Sequence, residues 1–285
     1  MSPGTRAMRE QLAGIRLSTV ARVGLVMTVL TVAVGLFGRY VAPYPPDEIF
    51  GLPFSPPSRE HLLGLDFAGR DVLSRFLYGG TTSILVALAG TLVGFAIGCV
   101  VGLVSAYRRG WVDEVLGRGT DLTLAFPGLV LSLLLLAAFG TSLALIVVAI
   151  AVTTAPGVAR IARATALEIV DLPYVEAARA RGEHASYVLA VEIFPGIRAP
   201  LLVDFGLRLT AAILLVAALS FVGLGLQPPS ADWGLMIGEN RIGLTVQPWP
   251  VVVPAAAISF LTIGINLIID GTARTSRLSR IRARV

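Results

Sequence analysis

Hydrophobic positions along this chain gather in long uncharged runs instead of alternating with polar ones. The runs are Val23–Gly38, Thr81–Tyr107, Leu122–Ala159, Leu209–Ala231 and Ile242–Ile269. A helix of about 20 apolar residues, rising about 1.5 Å each, crosses a hydrocarbon core of about 30 Å. As one helix, Leu122–Ala159 would measure about 57 Å. It therefore reads as two spans with a turn at Gly140-Thr141-Ser142, and the pattern predicts six transmembrane helices. Span five is expected to end at Pro228-Pro229. Span six is expected to begin near Pro250 or Pro254, because proline suits a first turn. Pro127 and Pro156 are expected to kink spans three and four. The first run lacks a clean small-x-small cleavage site ahead of Pro43, so it reads as a retained span rather than a signal peptide.

Three polar connections separate the spans: residues 39–80, 160–208 and 227–249. The first is rich in proline (Pro43, Pro45, Pro46, Pro53, Pro56 and Pro57) and reads as extended or turn-like. With both termini inside, only Arg39, Arg59, Arg70, Arg75 and Arg241 fall outside. The other 18 of the 23 basic residues (23 − 5) fall inside, as the positive-inside rule requires. Residues 160–208 then form the largest cytoplasmic loop. Leu172-Pro173 reads as a helix start, Val175–Arg181 as good helix formers and Gly182 as a C-terminal stop. Apolar Tyr187, Val188, Val191 and Phe194 predict a second amphipathic helix ending at Pro195.

Composition narrows the function classes. Of 285 residues, 55% are hydrophobic and 14% charged, and the mean hydropathy is +0.80. Soluble domains carry about 25% charge, so a soluble enzyme, a disordered chain or a nucleic-acid binder is nearly excluded despite a net charge of +5. Every basic residue is arginine. Without lysine there is no P-loop, so the chain has no nucleotide-hydrolysing motif of its own. Cys99 is single and reads as a buried small apolar residue. His61 is at best a weak metal ligand, and His184 reads as solvated surface. Asp204 and Arg208 share a helix face and are expected to pair where span five begins on the cytoplasmic side. Asp270 reads as interfacial. The scarcity of intramembrane charge argues against a proton-driven carrier. The absence of histidine from the spans argues against an intramembrane hydrolase.

Three motifs carry a family resemblance. Glu176-Ala177-Ala178, Gly182 and Ile193-Phe194-Pro195 resemble the EAA loop of binding-protein-dependent ABC importer permeases, with Pro195 thirteen residues after Gly182. Phe194 stands where leucine is usual, and Gly196 where a polar residue is common. Leu63-Gly64-Leu65-Asp66 with Gly69-Arg70-Asp71 and Ser74-Arg75 resembles a motif of the C-type permease subunit of oligopeptide and dipeptide importers, with Leu65 in place of threonine. Ala218–Pro229 with Trp233-Gly234 is similar to that family's span-five ending.

The resemblance implies an all-α membrane protein of six helices, with the type I ABC importer permease fold and a cytoplasmic coupling helix. Residues 1–80 would hold the N-terminal segment, first span and external loop. Residues 81–285 would hold a five-helix core with the coupling loop at 160–200. It implies a bacterial inner-membrane location and no cofactor or catalytic residue. The implied partners are a homologous B-type permease, two ABC ATPase subunits or domains, an extracytoplasmic substrate-binding protein and membrane lipid. The implied cargo is di- or oligopeptide, with nickel chelates or another small solute as alternatives; a stand-alone secondary carrier is the more distant reading. Asp171, Tyr174, Val175, Glu176, Ala177, Ala178, Arg179 and Gly182 would couple to the ATPase. Ala177 and Ala178 would keep the docking face small, and Glu176 would pair with an arginine of the groove. Asp66, Gly69, Arg70, Asp71 and Arg75 would form an external docking surface or a salt-bridged helix capping the bundle.

Overall fold

A computed structural model describes residues 18–227 and 230–282. Arg6, Arg9, Arg16, Pro228, Pro229 and Arg284, which enter the reading above, lie outside the described residues. Helix α1 (Thr19–Phe37) begins at Ser18, whose Oγ accepts from the Ala21 N–H at 3.1 Å. Helix α2 (Val72–Arg108) begins at Asp71, whose Oδ2 accepts from the Ser74 N–H at 2.7 Å. Span two thus starts nine residues (81 − 72) before the expected Thr81, because the Asp71 cap lets the helix form ahead of the uncharged run. Helices α3 (Gly110–Leu124) and α4 (Gly128–Phe139) follow, then α5 (Leu143–Leu167). The expected turn between spans three and four is present. Gly140 ends α4 at φ +103°, and the Ser142 Oγ caps α5.

Span three differs from expectation. Pro127 does more than kink it: α3 and α4 meet at 88°. Proline has no N–H to continue the ladder and disfavours helical geometry in the residue before it. Among the described residues, five helices are long and apolar enough to cross a membrane singly, and the bent α3–α4 pair makes up to six.

The segment after Gly182 also departs from the pattern. Helix α6 (Pro173–Ala180) leads to a short α7 (Ala185–Tyr187), a π turn over Val188–Ile193 and a continuous α8 (Phe194–Val222). Pro195 therefore stops nothing. It lies in the first turn of α8, and the Phe194 N–H donates to the Leu189 carbonyl five residues back. The wide turn adds a residue and rotates the buried face. Val188, Ile193, Ile197 and Leu201 point inward, while Tyr187, Val191 and Phe194 of the expected face are exposed. Helix α9 (Trp233–Asn240) and α10 (Trp249–Arg282) complete the chain, α10 starting beside Pro250 as expected.

The longest packing seam joins α2 to α5. Gly90, Gly94, Gly98 and Gly102 recur every four residues on α2, so they share one face. A Cβ at Gly94, Gly98 or Gly102 would lie 2.4–2.8 Å from the carbonyl oxygens of Ala151, Ala155 and Ala159 on α5. Small residues let membrane helices approach to backbone contact. Two apolar clusters flank this seam. One gathers Ile84, Ile150, Val216, Leu219, Trp233 and Leu261 toward the α9 end. The other gathers Cys99, Val158, Ala162, Val175, Ala178 and Ile197 toward the α6 end.

Candidate functional site

Helix α6 is short because its sequence stops it at both ends. Pro173 occupies the first turn, and Gly182 adopts φ +80° after it. The Glu183 N–H donates to the Ala178 carbonyl, and the Gly182 N–H donates to Arg179. That pairing serves the last carbonyls and turns the chain away. The helix has two unlike faces. Val175 and Ala178 are fully buried in the second apolar cluster, where α6 packs against the π turn Val188–Ile193. Asp171, Tyr174, Glu176, Ala177, Arg179 and Gly182 are exposed. This corrects the expectation for Ala178. Its methyl group faces the chain's own core, because positions three apart fall on the same side of a helix as Val175. Ala177 alone of the two keeps the outer face small.

Further contacts tie α6 to the bundle. Arg109 Nη2 donates to Asp171 Oδ2 at 2.5 Å. The Arg179 guanidinium lies 4.4 Å from the Tyr107 ring centroid. Both partners stand at the end of α2, so α6 and α2 are linked by an ion pair and a cation–π contact. The exposed ion pair contributes little alone; buried Val175 and Ala178 make the join rigid. A cavity of about 440 Å³ lies beside this region between α2, α3 and α5, with Asp113 and Arg163 in its wall. Arg163 grips Asp113 with two bonds of 2.5 and 2.6 Å, and Arg160 meets Asp121 at 2.8 Å, so α3 is fastened to α5.

The second predicted group lies at the opposite end of α2. Asp66, Arg70, Asp71 and Arg75 come together, but as a turn leading into α2 and not as a separate capping helix. Isolated bridges Ile49↔Arg70 and Leu65↔Asp71 hold the turn. Gly69 has φ +78°, and a Cβ there would strike the Gly51 carbonyl. Glycine is needed for both reasons. Asp66 and Arg75 are entirely buried and ion-paired through Oδ2 and Nη1. Asp66 also accepts from the Arg70 Nε at 3.0 Å and from the Ala68 and Arg70 N–H groups. His61 Nδ1 lies 3.0 Å from Asp71 Oδ1, which accounts for this histidine without a metal. Among the described residues no group of three or more His, Cys, Asp or Glu is placed to hold a metal ion.

Sequence reasoning missed the other half of this cluster. Glu239 on α9 reaches Arg75 at 3.0 Å and Arg70 at 3.4 Å. Asn240 accepts from the Phe67 N–H at 2.9 Å. Gln247 donates to the carbonyls of Ser55 and Leu63. Asp232 caps α9 through the Leu235 N–H at 2.9 Å and accepts from Ser83 Oγ on α2. Burial raises the Asp232 carboxyl above the ordinary carboxylate range. An aspartate directly ahead of an apolar stretch was a readable cap signal. The pairing of Glu239 with arginines some 170 residues away had none.

Span five also carries a correction. Asp204 and Arg208 do pair, Nε to Oδ1 at 3.3 Å. The helix that carries them begins ten residues (204 − 194) before Asp204, at Phe194, ahead of the uncharged run that opens at Leu209.

Residues 94–276 match the family described as binding-protein-dependent transport system inner membrane component. The chain is 36% identical over 244 residues to the glutathione transport system permease protein GsiD of Pectobacterium atrosepticum, covering 85% of this chain and 81% of the relative. It is 34% identical over 254 residues to the GsiD of Escherichia coli, covering 88% and 84%. Its fold resembles a chain of the methionine ABC transporter MetNI in inward-facing conformations. There the TM-score is 0.54 at 17% identity, with 69% of this chain and 95% of that one covered. In this family ATP is hydrolysed by a separate ATPase, and the permease works with a second permease and a binding protein. The chain belongs to the binding-protein-dependent transport system inner membrane components, as a non-catalytic, multi-pass permease subunit of a bacterial ABC importer.

Proposed function

We propose that this permease imports di- or oligopeptides, or peptide-like solutes, through a passage shared with a homologous B-type permease. Two ATPase subunits or domains drive it through α6, and an extracytoplasmic binding protein delivers the cargo. Both termini and the α6 end face the cytoplasm, in keeping with the arginine distribution. Residues 1–80 form an N-terminal segment, first span and external loop, and residues 81–285 the permease core. Identity of 36% to a glutathione permease supports peptide-type cargo.

The observation that carries the coupling role is the division of α6 into two faces. Val175 and Ala178 are sunk in the bundle, while Tyr174, Glu176, Ala177 and Arg179 meet nothing that would bury them. A helix held on one side and bare on the other transmits a push as a lever, with the bare side laid in a partner's groove. Arg109–Asp171 and Arg179–Tyr107 carry the displacement into α2. At the opposite end, Asp66, Gly69, Arg70, Asp71 and Arg75, with Glu239, brace the bundle where a binding protein would dock.

The test is a cysteine pair between Ala177→Cys and the ATPase groove in the assembled importer. A crosslink that forms, and whose yield changes with nucleotide, is the expected result. Gly182→Leu gives an independent check. A Cβ at Gly182 meets nothing within 4 Å, although φ +80° strains a leucine there by about 1–2 kcal/mol, so membrane insertion is scored beside coupling while the side chain intrudes on the docked partner. ATPase recovery with the tagged permease should then drop. Full recovery and normal uptake in Gly182→Leu, with no crosslink at position 177, would overturn the lever.

A further inference from the structure

The Asp204–Arg208 pair has no part in the coupling helix or in the cap. Arg208 stands 14 residues from each end of α8 (208 − 194 and 222 − 208), about 21 Å along the axis either way. Its neighbour Phe205 packs edge-on against Phe95 at 5.2 Å. Phe95 is itself 13 residues (108 − 95) inside the end of α2, about 20 Å. The guanidinium lies against uncharged Gly157 of α5, one turn short of Arg160 on the same helix.

The group is held in one pose. Nε donates to Asp204 Oδ1, and the guanidinium lies over Gly157 of α5. A Cβ at Gly157 would come within 2.4–2.6 Å of Nη2, Cζ and Nη1. Glycine is what lets the arginine settle there. Asp204 is nearly buried and its Oδ2 has no hydrogen-bond partner, while the Arg208 side chain is 31% exposed. Among the described residues, Nη1 and Nη2 make no hydrogen bond. A charged fork about a third exposed beside apolar helices is costly against lipid and belongs to a wet or protein-lined space. In a permease that works beside a second one, that space is the passage between them.

We propose that Arg208, oriented by Asp204 and seated on Gly157, faces the passage and takes the carboxylate group of the cargo as it crosses. This rests on the peptide-import reading above. The two Nη groups form the edge that matches two carboxylate oxygens. Asp204 neutralises the pair, so the contact is directional without becoming a trap. A transport pathway needs that balance, because a site must release what it binds.

Two measurements test it in the complete importer in proteoliposomes. The first compares uptake per ATP hydrolysed for dialanine and glutathione with that for alanylalaninamide, which lacks the carboxylate. Arg208→Gln should lower the ratio for the two carboxylate cargoes about tenfold or more, the scale of a charged hydrogen bond. It should leave the amide little affected, and Arg208→Lys should restore part of the loss. An equal fall for the amide overturns the proposal, since a merely structural arginine would act on both. If the unaltered importer carries neither dialanine nor glutathione, the peptide reading fails by itself.

The second measurement does not depend on cargo. Arg208→Cys, in a Cys99→Ser background, should react with a membrane-impermeant methanethiosulfonate in at least one nucleotide state. A thiol silent in every state, as it would be against lipid or sealed by the second permease, overturns the passage-facing placement.

Discussion

Gly98→Ala puts the α2–α5 seam to a quantitative test. The new methyl group would lie 2.5 Å from the Ala155 carbonyl oxygen and 2.6 Å from the Val158 Cβ. Neither can rotate away, one being backbone and the other the stiff root of a β-branched side chain. The helices must part by about 0.5–1 Å, which forfeits a quarter to a half of each dispersion contact along the seam. Overpacking of this kind costs about 1–3 kcal/mol. Opposing it, alanine is a better helix former than glycine by about 1 kcal/mol. Gly117 on α3 isolates the second effect, since a Cβ there meets nothing within 4 Å. The same substitution should therefore have opposite signs at the two sites. Purified importer, followed by thermal unfolding in detergent, should melt a few degrees lower with Gly98→Ala and slightly higher with Gly117→Ala, at about 2–4 °C per kcal/mol. If Gly98→Ala melts at or above the unaltered importer, α2 and α5 do not touch at the backbone, and the account of the seam is wrong.

The cap and its buried acid can be examined in the same way. Asp66→Asn removes the carboxylate shared by Arg70 and fully buried Arg75. Breaking a buried pair this way costs about 3–5 kcal/mol, so the variant should fail to accumulate in membranes. Glu239→Gln leaves Asp66 in place and should lower only the melting temperature; equal yields for both would show that the cluster is not structural. Asp232 gives a pH dependence. Its carboxyl is raised in the folded protein, so the native state holds the proton more readily than the unfolded chain. Stability is then greatest below the ordinary carboxylate value, and it falls as pH rises through the raised one. Asp232→Asn keeps the Oδ1 cap acceptor and should flatten that fall; an unchanged pH profile would remove Asp232 as its source.

Much of this molecule is written in local chemistry. Five uncharged runs, the glycine turn at 140–142 and the Pro173–Gly182 punctuation mark the helices, because a bilayer demands apolar length and proline and glycine act on their immediate neighbours. The motifs at 63–75 and 176–195 carry the family resemblance within short stretches of sequence. The glycines at 90, 94, 98 and 102 were equally readable as a shared face, though nothing local named α5 as their partner.

Other features depend on contacts that no window of sequence contains. The π turn at 188–193 decides that Val188 and Ile193 face inward while Tyr187 and Val191 face out. Ala178 and Ala177 are identical residues side by side, and only the placement of the π turn at 188–193 and the cluster around it makes one an anchor and leaves the other bare. Glu239 finds Arg75 across 164 residues (239 − 75), and Arg208 comes to rest on Gly157 in the middle of a helix that hydropathy alone starts too late. Helix formation is set by neighbours a few residues apart. Which faces are buried, and where a charge can survive, is set by what packs against them, and packing exists only once the chain has folded.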